Sequence, residues 1–383
     1  MQPYHKKGKP RIKLIICLQK LTIHSSTFGF QVKMSFASHL QTILEKLLIS
    51  DKSRAVYTKD AEEIQNYVVE ELKRVDDTFR KVFDGLSLGG SYLDRVKLDV
   101  PDEFDLHMKL KFPFDISPNS ISKNDGFIYL MGTLILAPCQ RIHRLQVQDW
   151  LRNAFHKVFD SNPTLTSSSG QTYKLRYTLD GYGCAHTIVA VGKSRSISFD
   201  LVPAFEFTGR QWPLKDPPVP AELRANLPWF AIPQKMLKSK AKTTFMVCAP
   251  HWEREMMKDS DNLKNVLRLM KGLRDAHAMT LPHLSSYMLK TVLLHRIDKV
   301  DWQRDLGTLL VEMWGHLVDH LRAGRLEFFL ARGHNIFVRM NQGEIKICLK
   351  TSVVLLQKLR SAQLNTGYLH VAELFNFPTL VIN

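Results

Sequence analysis

Residues 103–112 alternate between polar and apolar side chains, which is the pattern of a β-strand with one buried face. The apolar positions are Phe104, Leu106, Met108, Leu110 and Phe112. The polar positions are Glu103, Asp105, His107, Lys109 and Lys111. The pattern predicts a strand that buries one face and carries two carboxylates close together on the other.

Helical periodicity predicts a long helix from about Thr58 to Val82, with Thr58 or Asp60 as its N-cap. Its apolar stripe consists of Ile64, Val68, Leu72, Val75, Phe79 and Val82. Further helices are predicted near residues 144–159, 251–277, 282–297, 303–323 and 352–362. In the helix from Gln303, Gly324 follows the last apolar position and supplies a C-terminal stop.

Strand-like segments dominate between about residues 83 and 208, and the proline-rich "WPLKDPPVPAELRANLP" that follows predicts a connector. The order of elements predicts an α/β chain with a mixed, twisted sheet lobe, a helical C-terminal lobe and a cleft between them. We assign residues 34–212, including the long helix, to the first lobe and residues 213–383 to the second.

The composition excludes several classes of protein. A hydrophobic fraction of 44% and a charged fraction of 23% are ordinary for a globular chain. No apolar run approaches the roughly 18 residues that span a bilayer, and "LIICL" is too short for a signal peptide. Five scattered cysteines without a CxxC pair argue against a disulfide framework and against a zinc ribbon. We therefore expect a cytoplasmic protein without zinc.

The formal net charge is +16, and residues 1–33 contribute +7 of it because they contain seven cations and no acid. The remaining chain keeps +9, which is 16 minus 7. This excess favours a polyanionic partner such as nucleic acid or an acidic membrane surface. We expect residues 1–33 to be a disordered basic extension or translated sequence upstream of Met34.

The candidate chemistry begins at a Gly-Gly-Ser turn, Gly89–Ser91, which lies between a predicted strand and the acidic strand. Backbone N–H groups after the glycines and the Ser91 hydroxyl could bind a phosphate. Glu103 and Asp105 repel each other unless a cation lies between them, and Mg²⁺ prefers such oxygen ligands. The alternative is an ordinary flexible turn followed by two solvated acids.

A third carboxylate is expected on a neighbouring strand, and "SISFDLVPAFEF" provides Asp200 among apolar residues. A lone Asp in such a strand is unfavourable unless it is paired or bound to metal. The alternative is an Asp at a strand edge that faces solvent. A phosphate-binding turn beside a metal site is the arrangement that phosphoryl transfer requires.

The segments "GGSYLDRVKLDVPDEFDL", "FDLVPAFEF" and "LPHLSSYMLKTVLLH", in this order, resemble the cyclic GMP-AMP synthase (cGAS) family. The likeness is closest to the cGAS-like receptors of insects, within the male-abnormal-type nucleotidyltransferases, and covers roughly residues 50–375. It implies a bilobal nucleotidyltransferase fold with Mg²⁺ or Mn²⁺ held by Glu103, Asp105 and Asp200. It also implies ligand-dependent synthesis of a cyclic dinucleotide of the cyclic GMP-AMP type from ATP and GTP, as an innate immune antiviral signal to a STING-type receptor.

The resemblance implies further site residues where the local sequence matches. Ser91 resembles the serine that contacts the donor triphosphate, and Lys271 resembles a helix lysine that contacts phosphate. Ser286 resembles a partner at the phosphates, and Tyr287 resembles an aromatic residue that stacks on a nucleobase. Without the resemblance, Lys271 would be interpreted as a solvated lysine, and Tyr287 would be interpreted equally well as a residue packed in the core. Lys290, one turn after Tyr287, would add a positive charge beside the ring.

Two departures from the vertebrate enzyme affect the expected ligand. The segment "HWEREMMKDSDNLKN" lacks the cysteines of the zinc ribbon that positions DNA, and no base-contacting arginine is evident around "TTFMVCAPHW". Some insect relatives bind double-stranded RNA, which is recognised mainly through phosphates and 2′-hydroxyls. We expect such an RNA to bind a surface shared by two basic stretches, opposite the cleft: Lys52, Arg54 and Lys59, with Lys235, Lys238, Lys240 and Lys242.

Other interpretations stay open at this stage. The basic stretches could be a generic basic surface. The chain could also be a non-catalytic relative that binds nucleotide and signals without chemistry, although three retained acids argue against that. A third alternative is a template-independent synthetase of linear oligonucleotides.

Overall fold

Residues 103–110 of the alternating segment form a strand in one large sheet. The computed structural model describes residues 35–98, 102–121, 125–133, 140–179, 184–215, 217–237, 239–365 and 367–377; side chains at 51–53, 179, 368 and 369 lie outside this description. The strands in these ranges are β1 (Phe83–Leu88), β2 (Glu103–Leu110), β3 (Asp115–Ser120), β4 (Phe127–Thr133), β5 (Gln140–Arg141), β6 (Thr164–Thr166), β7 (Thr172–Leu179), β8 (His186–Val191), β9 (Ser196–Phe207), β10 (Trp229–Ile232) and β11 (Thr244–Cys248).

Helices precede, interrupt and follow these strands. Those in the described ranges are α1 (Phe36–Leu47), α2 (Asp51–Val75), α3 (Asp77–Val82), α4 (Gly90–Leu93), α5 (Arg144–Phe159), α6 (Ala221–Asn226), α7 (Pro250–Met256), α8 (Asp261–Ala276), α9 (Ser286–Leu294), α10 (Leu306–Ala323), α11 (Gln342–Leu364) and α12 (Tyr368–Leu374). The predicted 1–33 extension and residues 134–139, within the region where strand-like segments are predicted, lie outside the described residues.

The sheet runs in the order β3-β4-β11-β10-β9-β8-β7-β6, with β1 on β2 and β2 on β9. Among the described strand pairs, β2 and β9 are parallel and the others antiparallel. The prediction of an α/β chain with a mixed sheet followed by helices is confirmed. The parallel pair matters most for the site, because it places two acidic strands side by side.

The predicted helix from Thr58 to Val82 ends where the structure ends α3, at Val82, but its predicted start and its continuity are wrong. It begins earlier, at Asp51, and it is divided into α2 and α3 at Asp76. Asp76 accepts hydrogen bonds from the Phe79 N–H at 2.8 Å and from Trp150 Nε1 at 3.2 Å, so a new helix is capped there. Thr58 is not a cap, because its hydroxyl donates to the Arg54 carbonyl at 2.9 Å within the helix.

Asp60 is likewise not a cap, because it lies in the middle of α2 and is fully buried. It forms an ion pair with Arg195 and accepts a hydrogen bond from the Tyr173 hydroxyl at 2.5 Å. Arg195 immediately precedes β9, and Tyr173 lies in β7. A buried polar network therefore fixes α2 on the sheet.

The C-terminal half contains two strands that the sequence did not predict, β10 and β11, and both continue the sheet. The helix predicted from Gln303 is confirmed, although it begins at Leu306 with Asp305 as its N-cap, and Gly324 ends it at a φ of 62°. Helix α1 packs against α8, α10 and α12, so the first described helix of the chain joins the C-terminal helices.

Candidate active site

The parallel register of β2 and β9 places the predicted acids on adjacent strands. Asp105 lies opposite Asp200 in the β2–β9 pair. Glu103 lies two residues earlier on β2, opposite Ser198. Phe104 and Leu106 are buried on the opposite face, as the alternation predicted. The Thr187 hydroxyl donates to Asp200 Oδ1 at 2.6 Å and orients that carboxylate.

The charges of these carboxylates act on one another. Burial raises the pKa of Asp105 to about 6, and the negative charges of Glu103 and Asp200 add to the shift. Like charges at close range penalise ionisation until a cation reduces the repulsion. Three neighbouring carboxylates are therefore a donor set suited to a hard divalent cation.

Glu103 has a cationic partner that the sequence analysis did not predict. Lys97 Nζ lies 2.8 Å from Glu103 Oε2 and 3.6 Å from Asp102 Oδ1. In the part of the chain that the structure describes, no three acidic, histidine or cysteine side chains already surround one metal position. Metal binding by Glu103, Asp105 and Asp200 together therefore stays a prediction.

The glycine turn packs directly on the acidic strand. The Gly89 N–H donates to the Asp105 carbonyl at 2.8 Å. Gly90 has a φ of +57°, and a Cβ at this position would lie 1.6 Å from Asp105 Oδ2. Only glycine fits so close an approach. Ser91 follows in the first turn of α4, so the predicted phosphate contact adjoins the strand that carries Asp105.

Lys271 is buried in α8 rather than solvated. Its Nζ donates to the carbonyl oxygen of Val96 at 2.7 Å. Burial lowers the pKa of Lys271 to about 8, and the neighbouring cations Arg274 and Lys97 lower it further. An anionic phosphate would offset both effects, and phosphate binding by Lys271 stays a prediction.

Ser286 and Tyr287 form the start of α9, as predicted. Arg274 Nη2 donates to Ser286 Oγ at 3.1 Å, and Arg274 Nη1 donates to the Leu284 carbonyl at 3.0 Å. The Tyr287 hydroxyl donates to Glu253 Oε1 at 2.8 Å. The Tyr287 ring is half-buried, 6.1 Å from the ring of Phe328, and its role as a nucleobase contact stays a prediction.

Lys290 does not leave an open positive charge beside Tyr287. Its Nζ lies 2.6 Å from Asp94 Oδ2 and 2.9 Å from Glu253 Oε2, and all three side chains are buried. Sequence reasoning missed Lys97, Arg274 and this cluster. Arg274 could have been noticed, because it follows Lys271 by one helical turn on the same side of α8.

The structure describes only some of the predicted RNA-binding residues. Lys59, Lys235, Lys240 and Lys242 are exposed, whereas Lys238 and the side chain of Lys52 lie outside the described residues. Arg54 is half-buried and lies over the Tyr92 ring of α4, 5.9 Å from its centroid. A common surface for the two stretches stays a prediction.

Within the described ranges, none of the helices is long and apolar enough to cross a membrane.

Two family models match the chain: the Mab-21 protein nucleotidyltransferase domain over residues 92–262 and the Mab-21 protein HhH/H2TH-like domain over residues 262–353.

Several curated proteins are similar to the chain over most of its length. A cyclic GMP-AMP synthase-like protein of Drosophila melanogaster is 73% identical over 347 residues, which are 90% of this chain and 100% of that protein. A cyclic GMP-AMP synthase-like receptor of Drosophila eugracilis is 33% identical over 80% of this chain and 86% of its own. One from Lucilia cuprina is 26% identical over 79% of this chain and 88% of its own.

Proposed function

The chain belongs to the cyclic GMP-AMP synthase-like family of Mab-21 nucleotidyltransferases, and on this premise we propose that it synthesises a cyclic dinucleotide from ATP and GTP when double-stranded RNA binds. The product would be of the cyclic GMP-AMP type and would act as a cytoplasmic antiviral signal to a STING-type receptor. Family membership supports an innate immune nucleotidyltransferase, whereas the substrates, the product and the activating ligand are proposals.

The observation that carries the proposal is the register of Asp105 with Asp200 beside a glycine turn. The mutual repulsion that raises the Asp105 pKa would be relieved by Mg²⁺ or Mn²⁺, with Glu103, Asp105 and Asp200 as the ligands. A cation bound there would lower the pKa of the acceptor ribose hydroxyl and would neutralise the negative charge of the departing pyrophosphate.

The protein's own groups orient the substrates in this proposal. The Thr187 hydroxyl donates to Asp200 and orients its carboxylate, which in this proposal would accept the proton of the ribose hydroxyl. Ser91, Lys271 and Ser286 would bind the phosphates, and Tyr287 would stack on a base. Lys97 would transfer from Glu103 to substrate phosphate, because a triphosphate offers it an alternative anion.

Ligand control would act through the segment between the glycine turn and β2, residues 89–102. Helix α2 reaches this segment directly, because the Thr58 hydroxyl and Arg54 both contact Tyr92 of α4. RNA bound along α2 and the exposed lysines at 235, 240 and 242 could then order the donor site.

The decisive assay is chromatography of products formed from ATP and GTP with Mg²⁺. Wild type and Asp105→Asn are compared with double-stranded RNA, with double-stranded DNA and without nucleic acid, each at two salt concentrations. We expect an RNA-dependent cyclic product from the wild type alone, and stimulation that falls with salt. A linear product would indicate an oligonucleotide synthetase, and no product under any condition would indicate a non-catalytic relative. Equal stimulation by DNA would contradict RNA selectivity.

A further inference from the structure

Two cationic side chains of α8 hold the backbone that follows the glycine turn. Arg268 Nη2 donates to the carbonyl oxygen of Arg95 at 2.7 Å, and Lys271 Nζ donates to the carbonyl oxygen of Val96 at 2.7 Å. Arg95 has a φ of 59°, in the left-handed region that a side chain other than glycine rarely adopts. The segment formed by residues 94–96, here termed the Asp94–Val96 turn, is thus strained and fixed from outside.

The first residue of this turn forms a buried ion pair with α9. The exposed fractions of the side chains are 3% for Asp94, 8% for Lys290 and 5% for Glu253. Burial by itself lowers the pKa of Lys290, but the two carboxylates raise it, so the lysine is charged. One ammonium group therefore joins the Asp94–Val96 turn to α7 and α9.

Stability is a poor explanation for this cluster. The desolvation of buried ions offsets most of their attraction, and apolar residues of similar volume often stabilise a fold as well. Asp94 Oδ1 is buried and has no hydrogen-bond partner among the described residues, which adds an unfavourable contribution. What the cluster does supply is a fixed position for each element that it joins.

The joined elements are those that carry the candidate triphosphate contacts. The Asp94 N–H donates to the Gly90 carbonyl at 3.2 Å, so Asp94 completes the single turn of α4 that contains Ser91. Lys290 lies one turn after Ser286 and Tyr287 in α9. The Asp94–Lys290 pair therefore links the turn that contains Ser91 to the helix that begins with Ser286.

We propose that Asp94 is a positioning residue for the nucleoside triphosphate: through Lys290 it holds Ser91 in register with Ser286. This inference rests on the proposed function, because it concerns the donor site of that reaction. Loss of the pair would leave each contact residue intact but move the two sides of the site apart. A displacement of about 1 Å in such a site can reduce the rate on the order of a hundredfold.

The test compares Asp94→Asn, Lys290→Met and the double variant with wild type. Three quantities are measured: the Kd of ATP with Mg²⁺ by calorimetry, KM and kcat for ATP and GTP, and the thermal unfolding midpoint. We expect Asp94→Asn to weaken ATP binding and raise KM about tenfold or more. The double variant should be little worse than Lys290→Met, because both changes remove one interaction.

A matched control separates positioning from general stability. Asp60 and Arg195 form another buried ion pair, with exposed fractions of 0% and 12%, that joins α2 to the sheet. Asp60→Asn should lower the unfolding midpoint as Asp94→Asn does, but leave KM for ATP unchanged. If Asp94→Asn does not fold, Asp94→Glu takes its place, because it keeps the charge and displaces it by one methylene.

Two outcomes in the variants overturn the inference. The first is an unchanged Kd and KM in a folded Asp94 variant, and the second is an equal rise in KM in Asp60→Asn. If the wild type binds ATP and makes product, and Asp94→Asn does both equally well, this inference alone is wrong. A wild type that neither binds ATP nor makes product defeats the proposed function and this inference with it.

Discussion

Lys271 offers the most quantitative test of the candidate site, because its burial has an energetic cost that varies with pH. A decrease in the pKa from 10.5 to about 8 corresponds to about 3 kcal/mol against burying the ammonium group. Between these two values the folded protein binds fewer protons than the unfolded chain, so its free energy of unfolding rises with pH. Below pH 8 the cost is fully present.

The perturbation is Lys271→Met, which removes the charge and keeps most of the side-chain volume. It also removes the hydrogen bond to the Val96 carbonyl, whose loss costs about 1–3 kcal/mol. As the pH rises from 7 to 9.5, the free energy of unfolding of the variant should fall by about 2 kcal/mol relative to that of wild type. The reason is that the wild type gains this amount as Lys271 deprotonates. Urea unfolding of both proteins at the two pH values measures this difference.

The same titration should appear in catalysis. If the charged lysine binds phosphate, the wild-type KM for the triphosphate rises as pH increases through about 8. Lys271→Arg should remove this dependence, since an arginine stays protonated throughout the range. A wild-type KM that is flat from pH 7 to 9.5, or a stability difference that does not change with pH, would refute the reasoning.

The remaining predictions concern the metal, the base and the RNA. Asp105→Asn should abolish product, and Mg²⁺ should raise the thermal unfolding midpoint of wild type but not of this variant; equal stabilisation would remove Asp105 from the metal site. Tyr287→Ala should weaken nucleotide binding by about 1–3 kcal/mol, whereas Tyr287→Phe, which keeps the ring, should retain most of the affinity; equal losses would argue against stacking. Charge reversal of Lys240 and Lys242 to Glu should reduce RNA binding and RNA-stimulated synthesis in parallel. A matched reversal at two other exposed lysines, on α11, should do neither: Lys346 and Lys350.

The sequence predicted the acidic strands well because each one is a local pattern. Strand β2 matches the alternation of residues 103–112 to within two residues, and α5 matches its predicted bounds. The pairing of Asp105 with Asp200 is different, since it joins residues 95 positions apart and depends on register. Alternation tells which face a residue occupies, but not which residue lies opposite.

His107 shows where the strand prediction fell short. Alternation placed it on the open face, but it is buried, and its ring stacks on Phe230 of β10 with centroids 4.8 Å apart. Strands β10 and β11 contain four and five residues, too few for a clear period. Because β10 was not predicted from the sequence, the environment predicted for His107 was wrong.

The break in the long helix had a similar cause. The apolar stripe continues across Asp76, so periodicity alone predicts one helix. The break depends on the Asp76 carboxylate, which caps α3 and accepts a hydrogen bond from Trp150 of α5. A contact between residues distant in sequence decided the local structure there.

The charges of the site were hardest to predict, because a lysine in a helix normally reads as solvated. Lys271 and Lys290 are both buried, yet they differ in partner: Lys290 is neutralised by two carboxylates, whereas Lys271 donates to a backbone carbonyl. Burial and two neighbouring carboxylates raise the pKa of Asp105 in the same region, and the positive charges of Lys97 and Lys271 offset this only in part. Among the residues that the structure describes, Asp105 and Lys271 thus each lack an opposite charge in direct contact. A divalent cation would stabilise the first and a phosphate the second, which is why this pattern of unfavourable burial points to a site for a metal and a nucleotide rather than to a structural core.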